Sequence, residues 1–388
     1  MNASGDASPN GPVPEWANDE RLARAAWSRI AEPGDLVARA LVAEIGAVPA
    51  AALFWRPDRL PGKGSRPDAS DIARWRVRLG STDPVRDLAT LTRFGGRLLI
   101  PGDPQWPPGL ADLGGTVPFC LWVRGGGDLS ALCRRSIAIV GARSATQYGL
   151  DLTARIAIGC SDAEVVVISG AAYGIDGQAH RAALAADMPT VAVLACGVDR
   201  VYPRGHEHLL GEIAGAGCVV SEVPPGSAPT RWRFLERNRL IAAMSTATVV
   251  IEAAWRSGAL STAHHAVDLG RPVGAVPGPV TSSLSAGCHR LIREGGSCVT
   301  DAAEALELLD PIGTSLPGPP PVPREVHDGL APAQFLVLDA LPLRSPRAVQ
   351  SISRSAGLPV AAVSAALGHL LGVGLAEQVD GRWRRAPT

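Results

Sequence analysis

The spacing of hydrophobic positions divides this 388-residue chain into stretches of different kinds. Residues 1–18 are rich in Asn, Gly, Pro and Ser and show no period, which predicts disorder. Over 20–92 the apolar positions recur at helical spacing. Val37, Leu41 and Ile45 stand four apart, Gly46-Ala-Val-Pro49 breaks the run, and a short helix is expected over 50–55. This predicts a small helical domain over 19–95, of the hairpin-and-bundle (SAM- or helix-hairpin-like) kind. Residues 98–125, with Pro101-Gly-Asp-Pro-Gln-Trp-Pro107, are too rich in Pro and Gly for either period and read as an extended connector.

The pattern then changes. Short apolar runs at 137–140, 165–168, 190–194, 218–221, 248–251 and 272–276 alternate with helix-length segments. Strands buried on both faces read as continuous apolar runs, so the alternation predicts an α/β core over 96–310 with a doubly wound, mostly parallel sheet. Ligands of such sheets bind beyond the C-terminal strand ends, where the Gly-rich loops of this chain fall. A Pro-dense linker follows at 311–330, including Leu316-Pro-Gly-Pro-Pro-Pro-Val-Pro323. In 331–388, Phe335, Leu338 and Leu341 mark one helix and Ser345-Pro346 the start of a second. Val360, Val363, Leu367, Leu370 and Leu371 mark a third, and Asp380-Gly381 a hairpin turn. Three helices and a hairpin predict a winged-helix domain.

Composition adds limits. The 46% hydrophobic and 19% charged content is that of a globular protein with a sizeable core. Net charge is zero, so a nucleic-acid site must be local. Lys63 is the one lysine, and the remaining positive charge is arginine, the better bidentate phosphate ligand. Gly62-Lys-Gly-Ser65 is no phosphate loop, because position 57 is Pro and no apolar strand precedes it. The seven cysteines lack Cys-x-x-Cys spacing, which argues against disulfides and zinc. The histidine pairs 264/265 and 206/208 lack helical metal-site spacing, so no metal is expected. No secretory signal or membrane-length run is present, and a cytoplasmic protein is expected.

Candidate chemistry gathers in the loops. After the first strand a dinucleotide site needs Gly-x-Gly-x-x-Gly, but the chain has Gly141-Ala-Arg143-Ser144, with arginine in place of the second glycine. No acid ends the next strand, which runs into Ser169-Gly170. NAD is therefore disfavoured, and Arg143 is suited to an anion. Arg231, Arg233, Arg237 and Arg239 surround Trp232 and Phe234 in a Pro-rich loop, a mixture that suits base stacking with phosphate contact. Ser257-Gly258 opens a helix whose N-terminus can hold an anion.

These loops resemble the DNA-processing protein A (Smf) family. The likeness rests on Ile139-Val-Gly-Ala-Arg143, Ser169-Gly-Ala-Ala-Tyr-Gly-Ile-Asp-Gly-Gln-Ala-His180, Tyr202-Pro203, Ser221-Glu222 and Arg237-Asn-Arg-Leu-Ile241. It continues in Val250-Ile-Glu-Ala-Ala254, Ser257-Gly-Ala-Leu-Ser-Thr262, Pro277-Gly278 and Gly287-Cys-His-Arg-Leu-Ile292. The resemblance implies an extended Rossmann-like core that binds single-stranded DNA without sequence preference and carries no cofactor or catalytic residues. It further implies a homodimer that protects incoming strands and loads RecA recombinase during natural transformation, with single-strand-binding protein as a further partner. It assigns phosphate contacts to Arg143 and Arg231, a base platform to Phe234 and a groove position to Arg204. Arg237, Asn238 and Arg239 frame the pocket, and Gly141, Ser169, Gly170, Ser257 and Gly258 supply its loops. One departure is Glu236, an acid where the family is often basic.

Two other readings fit less well. Nucleotide phosphoribohydrolases carry Gly-Gly-x-Gly-Thr-x-x-Glu, whereas Ser257-Gly-Ala-Leu-Ser-Thr262 leads to His264-His265 without a Glu. A winged-helix regulator would need a recognition helix rich in Arg, but the third helix of 331–388 is mainly Ala, Val and Leu.

Overall fold

Nine strands form one sheet in the order β1-β2-β6-β5-β4-β3-β7-β8-β9. They are β1 (Gly96–Leu99), β2 (Leu121–Arg124), β3 (Ser136–Val140), β4 (Val166–Ser169), β5 (Thr190–Leu194), β6 (Cys218–Ser221), β7 (Ala247–Val250), β8 (Val273–Ala275) and β9 (Ser297–Cys298). The computed structural model describes residues 12–55, 67–310 and 329–387. It separates into two units, Met1–Pro317 and Gly318–Thr388.

Strands β3 to β9 pair in parallel; β3 to β8 fall at nearly the predicted positions, and the two-residue β9 was not expected. Their side chains alternate between two cores: Ile137 and Ile139 enter one layer, Ala138 and Val140 the other. The chain winds outward from β3 to β6, then returns to the other side of β3 as β7. This reversal opens a crevice beyond the C-terminal ends of β3 and β7, where such folds place ligands.

The stretch 98–125 is more than a connector. It contains β2 and the last two residues of β1, an antiparallel pair that extends the sheet beyond β6. A 3-10 segment, Pro108–Thr116, lies between them. The prolines fall between the two strands and not within them, and Gly96 opens the edge strand β1. Before them stand α1 (Glu20–Ile30), α2 (Leu36–Ile45), α3 (Ala47–Ala52) and α4 (Ala69–Leu79), packed around Trp27, Phe54 and Trp75, and α5 (Pro84–Arg93), whose Leu91 packs in the cluster that holds Leu98 of β1. The disorder predicted for 1–18 does not hold for its last residues. Glu15–Asn18 is a 3-10 turn whose Ala17 is buried in this core. Residues 1–11, and the Gly62–Ser65 stretch weighed as a phosphate loop, lie outside the described residues.

Around the sheet lie α6 (Leu129–Arg134), α7 (Gln147–Asp162), α8 (Ile175–Ala185), α9 (Glu207–Ala216), α10 (Arg231–Met244), α11 (Gly258–Asp268), α12 (Ala286–Arg293) and α13 (Ala302–Glu307). The Arg-and-aromatic stretch that read as part of a loop is the start of α10. The Thr230 hydroxyl accepts the Arg233 N–H at 3.2 Å and caps the helix.

The second unit contains α14 (Pro332–Ala340), α15 (Val349–Ala356), α16 (Val360–Gly372) and the hairpin β10 (Ala376–Val379) and β11 (Arg382–Arg385). Asp380 and Gly381 both have positive φ, as a type I′ turn requires. Ser345-Pro346 does not start α15, which begins after Ala348. Arg347 and Trp383 exchange backbone hydrogen bonds of 2.9 and 2.8 Å, which hold this segment extended against the hairpin.

Candidate functional site

The crevice beyond β3 and β7 is an open cleft of about 700 Å³. One wall is the loop after β3, with Gly141 and Arg143, backed by Asp176 of α8. The second is the cleft face of α10, with Arg231, Phe234, Arg237 and Asn238. The third is the Arg256–Gly258 turn at the start of α11. Of the twelve residues predicted for the site, eight line this cleft: Gly141, Arg143, Arg231, Phe234, Arg237, Asn238, Ser257 and Gly258.

Helical geometry explains which residues of α10 take part. Arg231, Phe234, Asn238 and Ile241 follow the three- and four-residue spacing of one face and meet the cleft. The opposite face turns to the N-terminal helices. The Trp232 indole N–H donates to the Pro33 carbonyl at 2.9 Å, and Arg233 pairs with Glu32 at 2.8 Å. Arg239, predicted to frame the pocket, is on that opposite face. It is buried against Glu222 at 2.7 and 2.9 Å, and the same carboxylate also binds Arg39 of α2. Glu236 is also outside the cleft, lining a hollow with Gly34 and Arg239, so the family departure leaves the cleft's charge unchanged.

Phe234 forms the floor of the cleft. The Arg143 guanidinium lies 4.8 Å from its ring centroid, and Arg237 lies 5.8 Å away. Tyr202 approaches at 5.5 Å with its ring tilted by 54°. Arg143, Arg231 and Arg256 are exposed, and no carboxylate pairs with any of them among the described residues. Arg237 is different. It is buried, and its guanidinium donates to the Gly170 carbonyl at 2.9 Å and also to the Val193 carbonyl. Burial lowers its pKa to about 10, with Asp176 opposing the shift. It holds the β4 and β5 ends in place and has little left to offer a ligand.

Several predicted residues serve the loops and not the cleft surface. Ser169 is fully buried, and its hydroxyl donates to the Ile139 carbonyl at 2.6 Å, so it does not reach the cleft. Gly170 must be glycine because a Cβ would collide with the Arg237 guanidinium. Gly141 is likewise packed against Ile175, with no room for a side chain. Gly258 has open space around it, so a ligand can approach its backbone. Asn238 donates to the Gly258 carbonyl at 3.2 Å, which fixes the start of α11 against α10. Arg204 follows Pro203 in a short turn and lines an adjoining hollow.

Asp176, Tyr202, Thr230 and Arg256 were missed in the sequence. Asp176 is buried, which raises its pKa. The nearby Arg237 and the N–H groups of Ala172, Gly141 and Gly170 partly counter that rise. Its position four residues before His180 gave no hint, since only the fold brings the β3 and β4 loops to it. Arg256 beside Ser257 could have been found as a cation flanking a helix N-terminus. Glu252 completes the frame, accepting the Thr146 N–H at 2.9 Å and its hydroxyl at 2.6 Å, and so links the β7 end to the β3 loop. Among the described residues no cluster of His, Cys, Asp or Glu could hold a metal ion.

Gly174 tests this loop frame. It has φ +75°, and a Cβ there would strike the Ala142 and Arg143 carbonyls. Gly174→Ala should therefore destabilise the chain by about 1–3 kcal/mol, seen as a lower urea midpoint.

The profile of the DNA recombination-mediator protein A family matches residues 97–310. A DNA processing protein DprA from Mycobacterium tuberculosis is 44% identical over 92% of both chains. The X-ray structure of DNA processing protein A from Streptococcus pneumoniae superposes with a TM-score of 0.60 and 29% identity, covering 73% of this chain and 95% of that one. A structure of DNA processing protein A from Helicobacter pylori, described for its single-stranded DNA binding mode, gives 0.50 and 26%, covering 56% and 97%.

Proposed function

The chain belongs to the DNA recombination-mediator protein A family, and from that premise we propose that it binds single-stranded DNA without sequence preference in the switch-point cleft. The supporting observation is the set of unpaired guanidiniums, Arg143, Arg231 and Arg256, around the Phe234 ring. Cations spaced around an aromatic floor match a strand that alternates phosphates with planar bases. The positive N-terminus of α11 and the open backbone at Gly258 add a further phosphate position. A base entering the cleft stacks on Phe234 or on the guanidinium already lying over it.

Binding is favoured over catalysis. Asp176, the acid in the cleft, is buried, and no second carboxylate, histidine or cysteine stands among the residues lining the cleft to work with it as an acid-base pair. Release of ribose phosphate from a nucleoside monophosphate would reverse that reading. The family resemblance supports a cytoplasmic homodimer that protects incoming strands and transfers them to RecA recombinase, with single-strand-binding protein as a further partner. The second unit, read as a winged helix, serves as a partner module, since α16 contains no arginine.

The direct test titrates the protein with oligo-dT and with a duplex of equal length. The single strand should bind more tightly. A preference for duplex would defeat the proposal.

A further inference from the structure

We propose that a bound strand continues past the cleft, over Tyr202, into a second subsite formed by Tyr173 and Arg200 beside the groove residue Arg204. The inference rests on the cleft being a single-strand site and extends it. A hollow of about 530 Å³ lies beside the cleft and shares Tyr202 and Pro229 with it, so the two surfaces are continuous. Tyr173, Arg200 and Arg204 line its far side.

The aromatic row of the cleft continues in this direction. Phe234 and Tyr202 are 5.5 Å apart, and Tyr173 follows within the hollow. Tyr202 is 40% exposed and Tyr173 49%. Tyr173 is nevertheless fixed in place. Its ring meets His206 edge-on at 4.9 Å, and its hydroxyl accepts the Gly205 N–H at 3.3 Å. A ring held this way loses little freedom when a base stacks on it. His206 is held in turn, donating from Nδ1 to the Ala171 carbonyl at 3.1 Å.

Charge follows the same path. Arg200 and Arg204 are exposed and pair with no carboxylate among the described residues. The nearest acid in sequence, Asp199, is engaged with the Gly226 N–H at 2.9 and 3.0 Å. Two cations beside two exposed rings, continuous with a phosphate-and-base cleft, suit a polymer longer than the cleft. A mononucleotide would need only the first site. Another hollow, sharing Arg143 and Tyr173, adds only Arg181 as a further cation and serves as the control.

The test compares oligo-dT of about six and about eighteen nucleotides on the intact protein by fluorescence anisotropy. Tyr173→Ala and Arg200→Ala should each leave the short strand's affinity unchanged, which also shows that the fold is intact. Each should weaken the long strand roughly tenfold. Tyr173→Phe should bind both strands like the wild type, and so should Arg181→Ala. Long-strand affinity unaffected by the first two variants overturns the subsite. So does an equal loss from Arg181→Ala, which would show a diffuse field, or an equal loss on the short strand. Failure of the wild type to bind even the short strand would instead overturn the cleft reading on which the extension stands.

Discussion

Glu222→Gln should remove about 3–5 kcal/mol of folding stability, more than any substitution in the cleft. The carboxylate lies between the guanidiniums of Arg39 and Arg239, and all three side chains are buried. Neutralising it leaves two cations out of water with only the half-buried Glu236, 4.0 Å from the Arg239 Nε, as a counter-charge, the costly way to break a buried ion pair. Replacing the whole triad with Arg39→Met, Glu222→Leu and Arg239→Met should recover much of the loss, because apolar groups of similar volume require no desolvation. Urea denaturation of the three proteins makes the comparison. The effect also depends on pH. Burial pushes the Glu222 pKa up, but the two guanidiniums outweigh it and hold it below its ordinary 4.5. A folded pKa below the unfolded one means that the stabilisation is complete above about pH 4.5 and declines as pH falls through the folded value. The wild type should therefore lose stability in acid more steeply than Glu222→Gln.

In the cleft, the largest expected effect is on salt dependence. Arg143, Arg231 and Arg256 in the cleft, with Arg204 and Arg200 beyond it, have no carboxylate partner among the described residues and lie along the proposed path. If they neutralise about four phosphates, single-strand affinity should fall with a log–log salt slope near −3, roughly fifty-fold between 50 and 200 mM salt. Arg143→Ala and Arg231→Ala should each reduce that slope by roughly 0.7. Phe234→Ala should weaken binding by about 1–3 kcal/mol with the slope unchanged, because it removes stacking and no charge. Arg239→Ala, behind the helix, should leave the slope as it is while lowering stability. Anisotropy titrations at four salt concentrations distinguish the three classes. An unchanged slope in both arginine variants would remove the cleft from the binding path.

The sheet was legible in the sequence because its strands are short, apolar and buried on both faces, so their positions need no tertiary knowledge. The outer strands were hidden: β1 and β2 lie in Pro- and Gly-rich surroundings that look like any connector, and β9 is only two exposed residues. Arg143 and Phe234 could be picked out by type and place. Arg239 could not be separated from Arg237 or Arg231 by composition. The distinction comes from the rotation of α10, and the Thr230 cap that begins the helix was the signal overlooked. Ser169 was misplaced for a related reason: a small hydroxyl beside a loop glycine looks the same whether it faces a ligand or closes a strand end. Asp176 depends on loops from two strands meeting, which no local pattern records.

The triad that joins α2, β6 and α10 also bears on where the chain can be divided. A fragment beginning near residue 96 would retain the whole sheet and the cleft, yet it would strip the Arg39 cover from Glu222 and the Glu32 partner from Arg233. The N-terminal helices thus form part of the wall behind the cleft and are not a detachable appendage. Shortened versions of this protein would be better cut after residue 310 than before residue 96.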